Sequence, residues 1–232
     1  MELSLLSFLS LGFLLGLKHA TDADHVAAVT TFVTQEKSWL RSCWIGLFWG
    51  AGHTLSLALA GVAVILFKLP IPGWIESRLE LVVAAMLVVL GIRGIRRVWN
   101  GGATLHGHFH RHGTAAHSHW HVHRSGDESH ETWLHVGLRP LLTGIVHGAA
   151  GSGALMVLVL SSIQSAFVSL LYVVIFGAGS VVGMIVVSAL VGLPTRWVSS
   201  RPEGFLRGLQ MSASVLSCVI GIWLGVELLS GH

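Results

Sequence analysis

Apolar residues run along this chain in stretches too long for strands and too uniform for the one-sided helices of a soluble domain. Six such stretches cover residues 3–33, 44–67, 79–99, 136–160, 166–193 and 205–229. A helix that crosses the hydrocarbon core needs about 20 apolar residues, so each is read as a membrane span, and the fourth and fifth are joined by a very short connection. The first stretch lacks the basic start of a secretory leader and continues through a polar motif into further apolar residues, so it is expected to be retained as a span.

The stretches repeat. Leu14-Leu15-Gly16-Leu17-Lys18-His19 matches Leu142-Thr143-Gly144-Ile145-Val146-His147 at a spacing of 128 residues. Trp49-Gly50-Ala51-Gly52-His53 corresponds to Phe176-Gly177-Ala178-Gly179-Ser180 at 127, and Leu90-Gly91-Ile92 to Ile220-Gly221-Ile222 at 130. Three landmarks in one order at near-constant spacing point to duplication. A unit of three spans must reverse its orientation in the second copy, as in many secondary transporters. The expected fold class is therefore all-α, a polytopic membrane protein of six transmembrane helices in two inverted three-helix repeats. Residues 1–100 form the first repeat, 101–135 a histidine-rich loop and 136–232 the second repeat.

Composition narrows the function classes. Of 232 residues, 53% are apolar and 11% charged, against about 25% charged in a soluble domain. This excludes a soluble enzyme, a disordered chain and a disulfide scaffold. Cys43 and Cys218 are far apart and form no C-x-x-C, so both read as small core residues. The 28 glycines tend to fall inside the apolar runs, where they let helices approach closely. Basic residues are one-sided. Lys37, Arg41, Arg93, Arg96, Arg97, Arg111, Arg124, Arg139, Arg196, Arg201 and Arg207 flank the first, third and fifth connections, whereas the other side has Lys68 and Arg78. By the positive-inside rule this is a multi-pass protein of the cytoplasmic membrane, with both termini outside and the long third connection in the cytoplasm.

The chemistry sits inside the first span. Lys18, His19, Asp22, Asp24 and His25 cost several kcal/mol to insert, so a partner must compensate. On a continuous helix Lys18, His19, Asp22 and His25 share an arc of roughly 120°, while Asp24 points elsewhere. Either Asp24 bonds to another helix, or the helix unwinds near Ala23 and both carboxylates and both imidazoles reach one centre. Two neutral imidazoles with one or two carboxylates suit a divalent cation; the competing reading is a polar network that only ties helices together. His53, in Gly50-Ala51-Gly52-His53-Thr54, and His147, in Gly144-Ile145-Val146-His147-Gly148, are flanked by glycine and can converge on the same centre. His147 occupies the position equivalent to His19, but the counterparts of Asp22, Asp24 and His25 are Ala150, Ser152 and Gly153, so the site is expected to be asymmetric.

His19-Ala-Thr-Asp-Ala-Asp24-His25 resembles the H-x4-D-H signature of the nickel/cobalt transporter family, and Gly52-His53-Thr54 resembles that family's second glycine-histidine motif. With His147-Gly148-Ala149-Ala150-Gly151-Ser152, the chain is most similar to the six-span, UreH-type, urease-accessory branch. The resemblance covers essentially all the spans. It implies transport of Ni²⁺ or Co²⁺ across the cytoplasmic membrane, with His19, Asp22, Asp24, His25 and His53 as cation-binding or selectivity residues. The chain departs from the eight-span members, which carry an acidic F-D-T type motif where Val146-His147-Gly148 stands here.

Ten histidines lie between His106 and His135, among them His106, His108, His110, His112, His117, His119, His121 and His123 at alternate positions. Such a tract binds transition metals loosely, and with its glycines and low apolar content it is expected to be a flexible metal buffer or gate. The resulting expectation is a secondary transporter of divalent transition-metal ions, acting in uptake, with no catalytic residue and no cofactor beyond the transported ion. Its partners are the ion, the lipid bilayer and, as candidates, cytoplasmic nickel chaperones, with no nucleic acid; oligomeric state is open. Efflux by a similar architecture and a membrane metal chaperone are the alternatives. A metalloenzyme or thiol-disulfide carrier lacks its H-E-x-x-H or C-x-x-C.

Overall fold

The computed structural model describes residues 2–36, 38–67, 72–100, 104–112, 115–123, 133–150, 163, 165–198 and 203–230. Within them the first apolar stretch is two helices, α1 (Glu2–His19) and α2 (Ala23–Val33). Ala20, Thr21 and Asp22 make a tight turn between them. Thr21 N–H donates to the Lys18 carbonyl at 2.8 Å and Asp22 N–H to the His19 carbonyl at 3.1 Å, while Thr21 Oγ1 also donates to Lys18 O at 2.6 Å. Threonine and aspartate both offer the backbone such local alternatives to helix bonds. Asp22 is extended, with φ −63° and ψ 147°, and its carbonyl starts α2 by accepting from Val26 N–H at 3.0 Å.

The other helices are α3 (Trp39–Phe67), α4 (Gly73–Trp99), α5 (Trp133–Ala150), α6 (Ala166–Val198) and α7 (Glu203–Ser230). They contain or overlap the five remaining apolar stretches; the part of the fourth beyond Ala150 lies outside the described residues. Among the described residues, three helices are long and apolar enough to cross a membrane, over Trp39–Ile65, Ala166–Leu193 and Gly204–Ser230, and Leu5–His19 is a shorter apolar helix. Apolar side chains such as Leu14, Leu59, Val174, Leu190, Ile222 and Trp223 are exposed on the outer faces. That is an oily belt, the reverse of a soluble surface.

The helices make up the fold as expected, and the third connection adds a two-stranded ribbon. Strands β1 (Thr104–His112) and β2 (Ala115–His123) pair antiparallel, with His106 opposite His121, His108 opposite His119 and His110 opposite His117. A histidine at every second position is a strand period, and the backbone register pairs these six residues one to one across the ribbon.

Helix α1 packs on α6, α3 on both α5 and α6, and α4 on α7. Glycines make the close approaches. Gly16 lies against the Phe176 carbonyl and Gly144 against that of Trp49; Gly52 meets Leu141 O and Gly179 meets Phe13 O; Gly91 faces Ser214 and Cys218, and Gly221 faces Ala84 and Val88. Within each couple, a shift of 127 to 130 residues turns one contact into the other, the same spacing that relates the sequence landmarks. Cys218 Sγ donates to the Val88 carbonyl at 3.7 Å, and both cysteines are free.

Helix α2, at 11 residues, is too short to hold itself. Ala28, Val29 and Val33 bury it in an apolar cluster with Ile45, Trp49, Val83 and Leu87. At its far end Gln210 Nε2 donates to Thr34 O at 2.8 Å and Arg97 to Gln35 Oε1 at 2.5 Å. A second apolar cluster holds Leu57, Tyr172, Val173 and Phe176.

A side chain at Gly16 or Gly144 would have to displace backbone of the facing helix. We expect Gly16→Val and Gly144→Val each to destabilise the protein by about 1–3 kcal/mol or more, and Gly204→Ala, where nothing lies within 4 Å, to be neutral or mildly stabilising. Thermal unfolding of the purified variants in one detergent checks this; equal melting temperatures would show that the close approaches do not hold the helices.

Candidate metal centre

His53 lies on α3 one turn from Trp49 in one apolar cluster and one turn from Leu57 in the other, so the polar groups around it form a layer between two dry regions. Four imidazoles meet there, from α1, α2, α3 and α5. His19, His25, His53 and His147 are all buried, the last two completely. Ring centroids are 4.5 Å apart for His19 and His25, 4.9 Å for His25 and His53, 5.1 Å for His19 and His53, and 4.1 Å for His25 and His147.

The break between α1 and α2 makes this convergence possible. Asp22 occupies the N-cap position of α2 but makes no side-chain cap bond; its Oδ2 lies 2.9 Å from His19 Nδ1. Asp24, in the first turn of α2, accepts from His25 N–H and His25 Nδ1 on Oδ1, both at 2.9 Å, and from His147 Nε2 on Oδ2 at 2.8 Å. Both options left open for Asp24 are thus realised together: the helix unwinds, three residues before the expected position, and Asp24 bonds to another helix. His19 Nε2 is 3.0 Å from His53 Nε2.

All six membrane residues singled out by sequence, His19, Asp22, Asp24, His25, His53 and His147, are brought together. Lys18 is not. It was expected to share an inward arc with His19, but it is exposed, because the turn at Ala20 rotates α2 away from the continuation of α1. Among the described residues, two trios have ligand-capable atoms mutually within 4.8 Å: His19, His25 and His53, and Asp24, His25 and His147. Buried atoms with no hydrogen-bond partner, among the described residues, include His25 Nε2, His53 Nδ1 and His147 Nδ1. In apolar surroundings such bare nitrogens are costly unless something binds them, and imidazole nitrogens suit borderline transition metals.

Sequence reasoning used Trp49 and Phe176 only as landmarks of the repeat, yet they wall the centre, with ring centroids 5.8 Å from His147 and from His19 respectively. Their alignment in the sequence, 127 residues apart, was the available signal. For the loop histidines, the backbone register of β1 and β2 places His112 opposite Ala115 and His123 opposite Thr104, outside the three histidine pairs.

Fold and site describe a helical membrane protein with a histidine- and aspartate-lined polar centre. The chain is 39% identical over 224 residues to the urease accessory protein UreH of Bacillus sp. (strain TB-90), covering 95% of this chain and 91% of that protein. It belongs to the UreH-type branch of the nickel/cobalt transporter family. No family model and no solved structure matches it.

Asp24 ties two buried imidazoles, whereas Asp22 ties one and is 45% exposed itself. Asp24→Ala should therefore strand two buried imidazole N–H groups and the His25 backbone N–H, at about 1–3 kcal/mol each, and lower thermal stability more than Asp22→Ala does. Equal losses in melting temperature would show that Asp24 is not the tie.

Proposed function

We propose that this chain is a secondary transporter that carries Ni²⁺ and/or Co²⁺ into the cytoplasm through the centre built on His19, Asp22, Asp24, His25, His53 and His147. The observation that carries this reading is the His19, His25 and His53 trio, buried where three helices meet, with ligand atoms within 4.8 Å of one another and His25 Nε2 without a partner. A network that only ties helices together would use that nitrogen. Membership of the UreH-type branch supports the choice of metal, and the UreH relative's name as a urease accessory protein suggests a role in nickel supply for urease.

The architecture proposed is six spans in two inverted repeats, termini outside and the histidine-rich ribbon in the cytoplasm. The exchanged glycine contacts of α1 with α6 and of α3 with α5 support the repeat, and the one-sided basic residues support the orientation. Centres at the interface of two such repeats, beside a broken helix, suit alternating access. A divalent ion moving inward gains about 4.6 kcal/mol at 100 mV, twice the per-charge value and about a thousandfold in concentration, without ATP. The histidines of β1 and β2 then serve as a loose cytoplasmic store that hands the ion to nickel chaperones.

In cells deleted for this gene and carrying surface-verified variants, His25→Ala should reduce accumulation of radiolabelled Ni²⁺ to background, with wild type restoring it. Unchanged accumulation would remove the centre from transport, and a deletion strain poisoned rather than starved by nickel would establish efflux.

A further inference from the structure

Resting on the transport reading, we propose that the ion is held by the Nε2 atoms of His19, His25 and His53, and that Asp22, Asp24 and His147 are positioning residues that never bond to it. The hydrogen bonds assign the protons. An ionised carboxylate only accepts, so the contacts of Asp22 Oδ2 with His19 Nδ1 and of Asp24 Oδ1 with His25 Nδ1, both 2.9 Å, place the N–H of each ring at Nδ1. The lone pair of each ring is then at Nε2. His19 Nε2 accepts from His53 Nε2–H at 3.0 Å; the ion takes the place of this hydrogen bond as the His53 proton moves to the unpartnered Nδ1 of the same ring, and His25 Nε2 is buried without a hydrogen-bond partner.

These distances fit an ion. Two nitrogens bonded at about 2.1 Å and set at a right angle lie roughly 3.0 Å apart, the His19–His53 spacing. Carboxylates behind ligating imidazoles orient the rings and strengthen them as donors.

The rival trio of Asp24, His25 and His147 fares worse. Both oxygens of Asp24 are engaged by N–H groups, Oδ1 by His25 N–H and Nδ1–H and Oδ2 by His147 Nε2–H. Direct ligation by Asp24 would break one or more of those bonds. In the favoured arrangement His147 holds Asp24, Asp24 holds His25, and α5 thereby sets a ligand on α2. Two carboxylates directly behind the rings also balance the charge of one divalent ion, which limits the penalty of holding it in a low-dielectric interior. An all-imidazole seat selects nickel, cobalt, zinc or copper(II) and rejects oxygen-seeking magnesium, calcium and manganese.

The test uses the full-length protein in lipid nanodiscs, with the ten histidines from His106 to His135 replaced by serine so that one cluster is read, and Co²⁺ as the probe. Wild type in this background should bind Co²⁺, with pulsed electron paramagnetic resonance detecting three coordinated imidazoles, and excess Mg²⁺ should not compete. Asp22→Asn, Asp24→Asn and His147→Gln should weaken binding by about 10- to 100-fold yet show the wild-type visible spectrum at saturation, whereas His19→Ala, His25→Ala and His53→Ala should alter that spectrum or abolish binding. A saturated spectrum changed by Asp22→Asn or Asp24→Asn, or fewer than three imidazoles on the ion, overturns the assignment while leaving transport through this centre standing. Failure of the wild-type cluster to bind either Co²⁺ or Ni²⁺ overturns both. Asp22, half exposed at the turn, provides a variant that folds even where Asp24→Asn does not.

Discussion

Asp24 is a carboxylate within a chain that otherwise presents hydrocarbon to hydrocarbon, and its three accepted hydrogen bonds decide the geometry around it. Two come from His25 and one from His147, so a single side chain fixes the ring on α2 and joins α2 to α5. Where no water is available, every polar group must be satisfied from within. The break at Ala20–Asp22 follows from the same constraint, since a continuous helix would turn Asp24 away from the face that carries His19 and Asp22. A short helix held by its neighbours lets all four groups face one centre.

Close approach of backbones is the second requirement, and glycine supplies it. His147 reaches Asp24 because Gly144 lets α5 come down on Trp49 and Gly148 lets it come down on His53 itself. Gly16 does the same for α1 against Phe176. α1 thus packs against α6 and α5 against α3, and the histidines sit where those contacts meet. In sequence His53 aligns with Ser180 and His25 with Gly153, so residues 1–100 supply three imidazoles and two carboxylates to the centre and residues 136–232 supply His147.

Much of this was legible before any coordinates. Ionisable residues inside an apolar run are conspicuous because membranes penalise them, and the H-x4-D-H spacing with two glycine-flanked histidines marked all six residues of the centre. The helices followed from the length of the apolar runs. Lys18 was misplaced because a helical wheel assumes a continuous helix, and a three-residue turn invalidates it. The alternation of histidines over 104–112 and 115–123 carries a strand period, the pattern of β1 and β2.

What the chain determined by itself was which segments leave water and which residues are too polar to face lipid, since both depend on local composition and spacing alone. Which atom meets which was decided only by the tertiary structure. That His147 bonds Asp24 across 123 residues, that Nε2 of His25 is left without a partner and that Lys18 faces out depend on the depth and rotation at which helices lock. Those are set by glycine contacts between distant segments, which no local pattern encodes.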